Sequence, residues 1–244
     1  MFFSMNNSFL YVILIVLALS NIMTGRFSLV EFLLTIPGVL VAITFHEFAH
    51  AYAADKLGDT TPRSQGRLNL NPLSHIDPVG IFMLIFAHIG WGKPVQINQR
   101  NFDRKISMAA GEAIVAFAGP LMNFILSIVF TVIFYAVTTF SGMSFLTSTV
   151  GEVIVTMISY CVIVNVGLGV FNLIPLPPLD GSKILKNILP YNARNWLESH
   201  ETLFYFVFLI IWVTDLASII INPIISAIID GLTFVIGGIF GLFM

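Results

Sequence analysis

Thr44-Phe45-His46-Glu47-Phe48-Ala49-His50-Ala51 is the stretch from which the rest of the chain can be read. Positions four apart share one face of a helix. His46 and His50 can therefore bind one metal ion together, with Glu47 beside them, close enough to act on a metal-bound water. This His-Glu-x-x-His pattern is that of zinc hydrolases. Its setting decides the fold class. The surrounding run, residues 27–54, is almost wholly apolar, and ionisable groups inside such a run are costly and mark functional sites by default. The plainer alternative is polar residues packed against a neighbouring helix without metal. It leaves three costly groups clustered in an apolar span.

Composition agrees with a membrane setting. The 244 residues are 57% hydrophobic and 10% charged, against about 25% charged in a soluble domain. Mean hydropathy is +0.93. The net charge of −2 gives no basic surface for nucleic acid. The single cysteine, Cys161, lies in an apolar run and is read as core; one chain can form no disulfide framework. No internal repeat or low-complexity segment is visible. Residues 1–8 lack Lys and Arg, so residues 9–23 are expected to be a mature span and not a cleaved leader.

A spanning helix needs about 20 mostly apolar residues. Six stretches qualify or nearly qualify: 9–23, 30–54, 107–140, 150–174, 202–221 and 224–243, the last as a span or an interfacial arm. Pro37-Gly38 is a possible bend in the second, and Asn222-Pro223 reads as a turn. Between spans two and three lies a polar section, 55–105. Its alternating runs Arg67-Leu68-Asn69-Leu70 and Pro94-Val95-Gln96-Ile97 are possible short membrane-surface strands. Inside it, residues 79–89 are apolar over about half a span, which suits a re-entrant or interfacial segment. The expected architecture is an all-α polytopic membrane protein of about six transmembrane helices. It forms one domain, 1–244, with a core at 28–182 and C-terminal helices at 183–244.

Ten of the eleven Lys and Arg fall between Lys56 and Lys105 or between Lys183 and Arg194; Arg26 is the exception. Loop 141–148 carries none. The positive-inside rule places both charged sections in the cytoplasm. The metal helix then ends near that face, and Pro175-Leu176-Pro177-Pro178-Leu179-Asp180-Gly181 lands at the same depth. A catalytic zinc wants three protein ligands and an open position. His75, His88 and His200 qualify by type. Asp180 is better placed, after prolines that free the backbone and before a glycine that permits a tight turn. An ordinary interfacial turn aspartate explains the same residues equally well.

Three motifs, taken together, resemble the site-2 protease family of intramembrane metalloproteases. They are His46-Glu47-Phe48-Ala49-His50, Gly119-Pro120-Leu121-Met122-Asn123, and Phe171-Asn172-Leu173-Ile174-Pro175-Leu176-Pro177-Pro178-Leu179-Asp180-Gly181. They occur in the family's order. The stretch from Gly66 to Pro78, with Trp91-Gly92-Lys93-Pro94-Val95, is similar to small members without PDZ or CBS domains. The resemblance implies one zinc per chain held by His46, His50 and Asp180, with Glu47 as acid and base. It also implies Asn123 as a catalytic residue near the substrate or reacting carbonyl. The activity it implies is hydrolysis of peptide bonds within or near the spans of another membrane protein, and the charge distribution puts the site near the cytoplasmic face of the cell membrane. The substrate's freed backbone is expected to pair with the strand-like runs. Two rivals remain. A metal transporter needs several ligand sites along a path, and an inactive scaffold has no need of Glu47. Glu112, Glu152, Asp215 and Asp230 are assigned no catalytic part, and Trp91, Tyr191 and Trp196 are read as interface markers.

Overall fold

A computed structural model describes residues 28–77, 80, 91–213 and 216–243. The expected first span at 9–23, Arg26, His88, Asp215 and nearly all of the half-span at 79–89 lie outside the described residues. Helix α1 is Leu29–Lys56, α2 Met108–Phe140 and α3 Thr149–Asn172. Short helices α4 (Asp180–Ile188) and α5 (Tyr191–Ser199) follow, then α6 (Glu201–Val213) and α7 (Leu216–Leu232). A π-helical turn, Thr233–Gly237, carries α7 onward. Among the described residues four helices are long and apolar enough to cross a membrane: α1, α2, α3 and Ser218–Phe243.

Local chemistry starts each long helix. Ser28, Ser107 and Ser148 cap α1, α2 and α3, each side chain accepting the N–H three residues on. At about 1.5 Å per residue, the 28 residues of α1 reach about 42 Å, more than the ~30 Å hydrocarbon core. It runs unbroken through Pro37. At the next residue the backbones of α1 and α3 meet: a Cβ on Gly38 would sit 3.1 Å from Cys161 Cα. Small residues allow such approaches between membrane helices.

Helices α1, α2 and α3 pack mutually, and α7 lies on α3 through Val162, Val166, Val170 and Ile221. Polarity is inverted relative to a soluble bundle. The inner face of α2 buries Asn123, Ser127 and Thr131, while Ile114, Phe117, Leu121, Ile125 and Ile128 point outward. In lipid an apolar outer face costs nothing, and polar groups are sheltered where they find partners.

The sequence suggested a turn at Asn222-Pro223. Instead α7 continues through Pro223. A proline forfeits one backbone bond but keeps a helical φ, and an apolar surrounding offers no water to reward opening the chain further.

The polar section is a folded cap over the end of α1. Among the described residues it contains no strand; a single antiparallel bridge joins Ile76 and Gly92. The alternating run at Arg67–Leu70 is spent on side-chain turns. Asn69 accepts the Asn71 N–H at 2.8 Å, and Asn71 accepts the Leu73 N–H at 3.1 Å. Such local bonds compete with a ladder. Buried Arg67 ties the cap together by donating to the carbonyls of Ser74 and Pro94.

Asp59 fastens the beginning of this cap to its end, at Asn98 and Asn101. It is fully buried and accepts from Asn98 N–H at 2.6 Å, Thr61 Oγ1 at 2.5 Å, Asn101 Nδ2 at 2.9 Å and Thr61 N–H at 3.0 Å. Burial pushes its carboxyl up, but these donors outweigh it and hold the group below the usual range. A depressed folded value adds stability above the unfolded pKa of about 3.9 and loses it as pH falls through the folded value. Asp59→Ala is therefore expected to destabilise the protein by about 1–3 kcal/mol at neutral pH. The gap from wild type should shrink in thermal melts taken from pH 5 downward. A gap that stays constant into strong acid would mean the carboxylate's charge is not what holds the cap.

Candidate metal centre

Three side chains from two helices meet at one point. His46 and His50, one turn apart on α1, present their rings edge to face, with centroids 4.6 Å apart. Asp180 arrives from the first turn of α4. The three are buried at 5%, 8% and 5% exposure. His46 Nε2 and His50 Nε2 are 3.0 Å apart, and Asp180 Oδ2 is 3.2 Å from the first and 3.0 Å from the second. These ligand atoms all lie within 4.8 Å of one another.

Hydrogen bonding on the far side of each ring fixes what faces inward. His50 Nδ1 is 2.7 Å from the Val115 carbonyl, an acceptor only, so Nδ1 carries the proton. His46 Nδ1 is 2.7 Å from Asn123 Oδ1. The Asn123 amide cannot be reversed, because its Nδ2 donates to the Ala42 carbonyl at 3.1 Å and to Asn165 Oδ1 at 3.1 Å. Asn165 is oriented in turn by donating to the Cys161 carbonyl at 2.8 Å. In the neutral form of each ring Nε2 is then a bare lone pair, and the two face each other and a carboxylate oxygen. That arrangement repels itself unless a cation lies within it, and two imidazoles with one carboxylate suit zinc.

Glycines make the room. A Cβ on Gly119 would meet His50 Nε2 at 2.5 Å and His46 Cε1 at 2.7 Å. One on Gly181 would run into the carbonyl oxygens of Leu173 and Ile174, so only glycine lets α4 start tight beneath α3. Asp180 thus sits in a helix's first turn, just past the proline-rich connection foreseen from the sequence.

Glu47 is buried beside the cluster at 9% exposure, and its Oε2 accepts the Val95 N–H at 3.1 Å. The other described histidines, His75 and His200, lie elsewhere. His75 is fully buried and its Nε2 bonds the Asn69 carbonyl. His200 is exposed and stacks on Trp196. Glu112 accepts from Asn187, while Glu152 and Asp230 are exposed on the outer faces. Sequence reasoning missed three residues at this centre. Asn165 had a signal, an amide in an otherwise apolar span. Lys183, whose Nζ lies 2.9 Å from Asp180 Oδ1, had a fainter one, a cation in a helix's first turn. The Val95 N–H had none.

A family model described as peptidase family M50 matches residues 34–214. Among known proteins, the chain is 36% identical over 202 residues to "Putative zinc metalloprotease YwhC" of Bacillus subtilis, covering 83% of this chain and 90% of that one. Two proteins named "Putative zinc metalloprotease Rip2" also match. The one from Mycolicibacterium smegmatis is 32% identical over 159 residues, 62% of this chain and 55% of its own. The one from Mycobacterium tuberculosis is 26% identical over 185 residues, 74% and 66% respectively. No solved structure matches the chain.

Proposed function

Because the chain belongs to peptidase family M50, the site-2 protease family, and is a zinc metalloprotease, we propose that it cuts peptide bonds within or beside the spans of other membrane proteins, in regulated intramembrane proteolysis. The observation that carries this reading is the convergence of His46, His50 and Asp180 with Glu47 adjacent, buried among helices long enough to cross a bilayer. Among the described residues this is the one group of ligand-type side chains close enough to share a metal, whereas a transport path needs several.

His46 Nε2, His50 Nε2 and Asp180 Oδ2 would hold the zinc. When bound, zinc supplies Lewis-acid activation of water and carbonyl. Glu47 takes the proton from the attacking water and returns it to the leaving amine. Both N–H groups of Asn123 are already engaged, by Ala42 and Asn165. Its part in catalysis therefore runs through His46: its Oδ1 keeps the proton on Nδ1 and leaves Nε2 for the metal. The substrate helix must unwind locally, since its own backbone bonds are closed.

The test is cleavage of a single-span membrane protein by the purified enzyme in detergent or vesicles. Chelation of zinc should abolish cleavage and added zinc restore it, with the cut mapped by mass spectrometry to the span or its edge. Cleavage that survives complete zinc removal, or cuts confined to soluble loops, would sink the reading.

Orientation follows from charge. We take the chain as one domain, 1–244, with the metal core at 28–182, about six crossings and the site near the cytoplasmic face. The Phe48–Tyr52 pair and Lys56 lie on the same end of α1 as the site. A membrane-impermeant thiol reagent applied outside cells should label a cysteine placed at Ser144 and miss one at Asn101 or Asn187. The reverse pattern would put the site at the opposite face.

A further inference from the structure

The two oxygens of Asp180 face different groups. Oδ2 looks at both histidine Nε2 atoms, whereas Oδ1 accepts from Lys183 Nζ at 2.9 Å. The Asp180 side chain is 7% exposed and that of Lys183 is 46%, so the lysine reaches in from the open side to a buried carboxylate. Its place is unusual. Lys183 lies three residues after Asp180 at the beginning of α4, where the helix dipole disfavours a cation. Its helix is also anchored: Asn187 Nδ2 bonds the Lys183 carbonyl at 2.9 Å and Glu112 Oε2 of α2 at 2.8 Å. That bond pins α4 against α2 and fixes the approach of the ammonium.

A carboxylate can give a metal one oxygen or both. A catalytic zinc needs three protein ligand atoms and an open fourth position. An aspartate binding through both oxygens would crowd that position. We propose that Lys183 is a positioning residue which ties up Asp180 Oδ1, so that Asp180 offers the metal a single oxygen and the place for water stays open. The proposal rests on the metalloprotease reading above.

Cobalt(II) replaces zinc and reports coordination by its visible absorption, which is intense for four ligands and weak for five or more. The full-length protein is loaded with cobalt as wild type, Lys183→Met and Lys183→Arg. Methionine keeps the stem and removes the charge; arginine restores the charge. Wild type should give the intense spectrum. Lys183→Met should still take up about one cobalt per chain but absorb several-fold less, and zinc X-ray absorption should show about one added oxygen neighbour. Lys183→Arg should recover the wild-type spectrum. A Lys183→Met spectrum identical to wild type overturns the proposal. So does loss of the metal from Lys183→Met, which would make the lysine a determinant of affinity and not of coordination. Failure of wild type to bind either metal is a separate result and overturns the metalloprotease reading itself.

Discussion

Glu47→Gln should leave zinc in place and lower turnover by about 100-fold or more, the usual scale for losing a general acid or base. Glutamine matches the size of glutamate, and its amide oxygen can still accept the Val95 N–H that now meets Glu47 Oε2. What it loses is the capacity to take a proton from water. The three atoms proposed to hold the zinc belong to other residues, so metal content should not change. His46→Ala and Asp180→Asn are the controls. The first deletes a ligand and the second removes the charge from one, so zinc should fall in both. The measurement is zinc by mass spectrometry beside cleavage of one membrane substrate. If Glu47→Gln loses zinc as fully as His46→Ala, Glu47 is a ligand and the mechanism above is wrong. If it keeps both zinc and activity, the proton carrier is another group. Retained substrate binding would also make this variant a trap for identifying natural substrates.

Gly119→Ala is the second large effect. The added methyl would stand 2.5 Å from His50 Nε2, 2.6 Å from His50 Cε1 and 2.7 Å from His46 Cε1. Neither ring can retreat freely, because each is held at 2.7 Å by its Nδ1, one to Val115 and one to Asn123. Zinc affinity should fall by at least the roughly 10–100-fold seen when groups that orient ligands are disturbed, and activity with it. The helix itself should not suffer. Alanine in a helix interior is favoured over glycine by about 1 kcal/mol, so a folded protein without metal is the expected product. Zinc content and a thermal melt on the same sample separate the two effects. Normal zinc occupancy in Gly119→Ala would mean that the rings do not stand where the structure puts them.

Gly119-x-x-x-Asn123 shows how the structure changes the meaning of a motif. By sequence the pair is a weak signal with a catalytic role implied for Asn123. In the fold the two residues sit one turn apart on α2. The first clears space for the imidazoles and the second orients one of them. Asn165 completes this from a third helix.

The readings that held were local ones. His46 and His50 meet because a helix repeats every 3.6 residues, and that periodicity is a property of the chain alone. The apolar spans at residues 30–54, 107–140 and 150–174 are equally local. The membrane class follows from them, as does the family, since its motifs are short and ordered. The tertiary structure decided the rest. It brought Asp180 to His46 across 134 residues, and it gave Asn123 and Asn165 their partners across α1, α2 and α3. It also laid Val95 on Glu47 and turned the suspected strand at Arg67–Leu70 into side-chain turns. Pro223, which reads as a stop, became a helix interior. The physical reason is common to these cases. Helix period and hydropathy are fixed by neighbours in sequence. Which polar faces meet, by contrast, is fixed by how closely backbones can approach, here at Gly38 and Gly181, by the room Gly119 leaves for the imidazoles, and by the need to pair every polar group that lipid leaves without water.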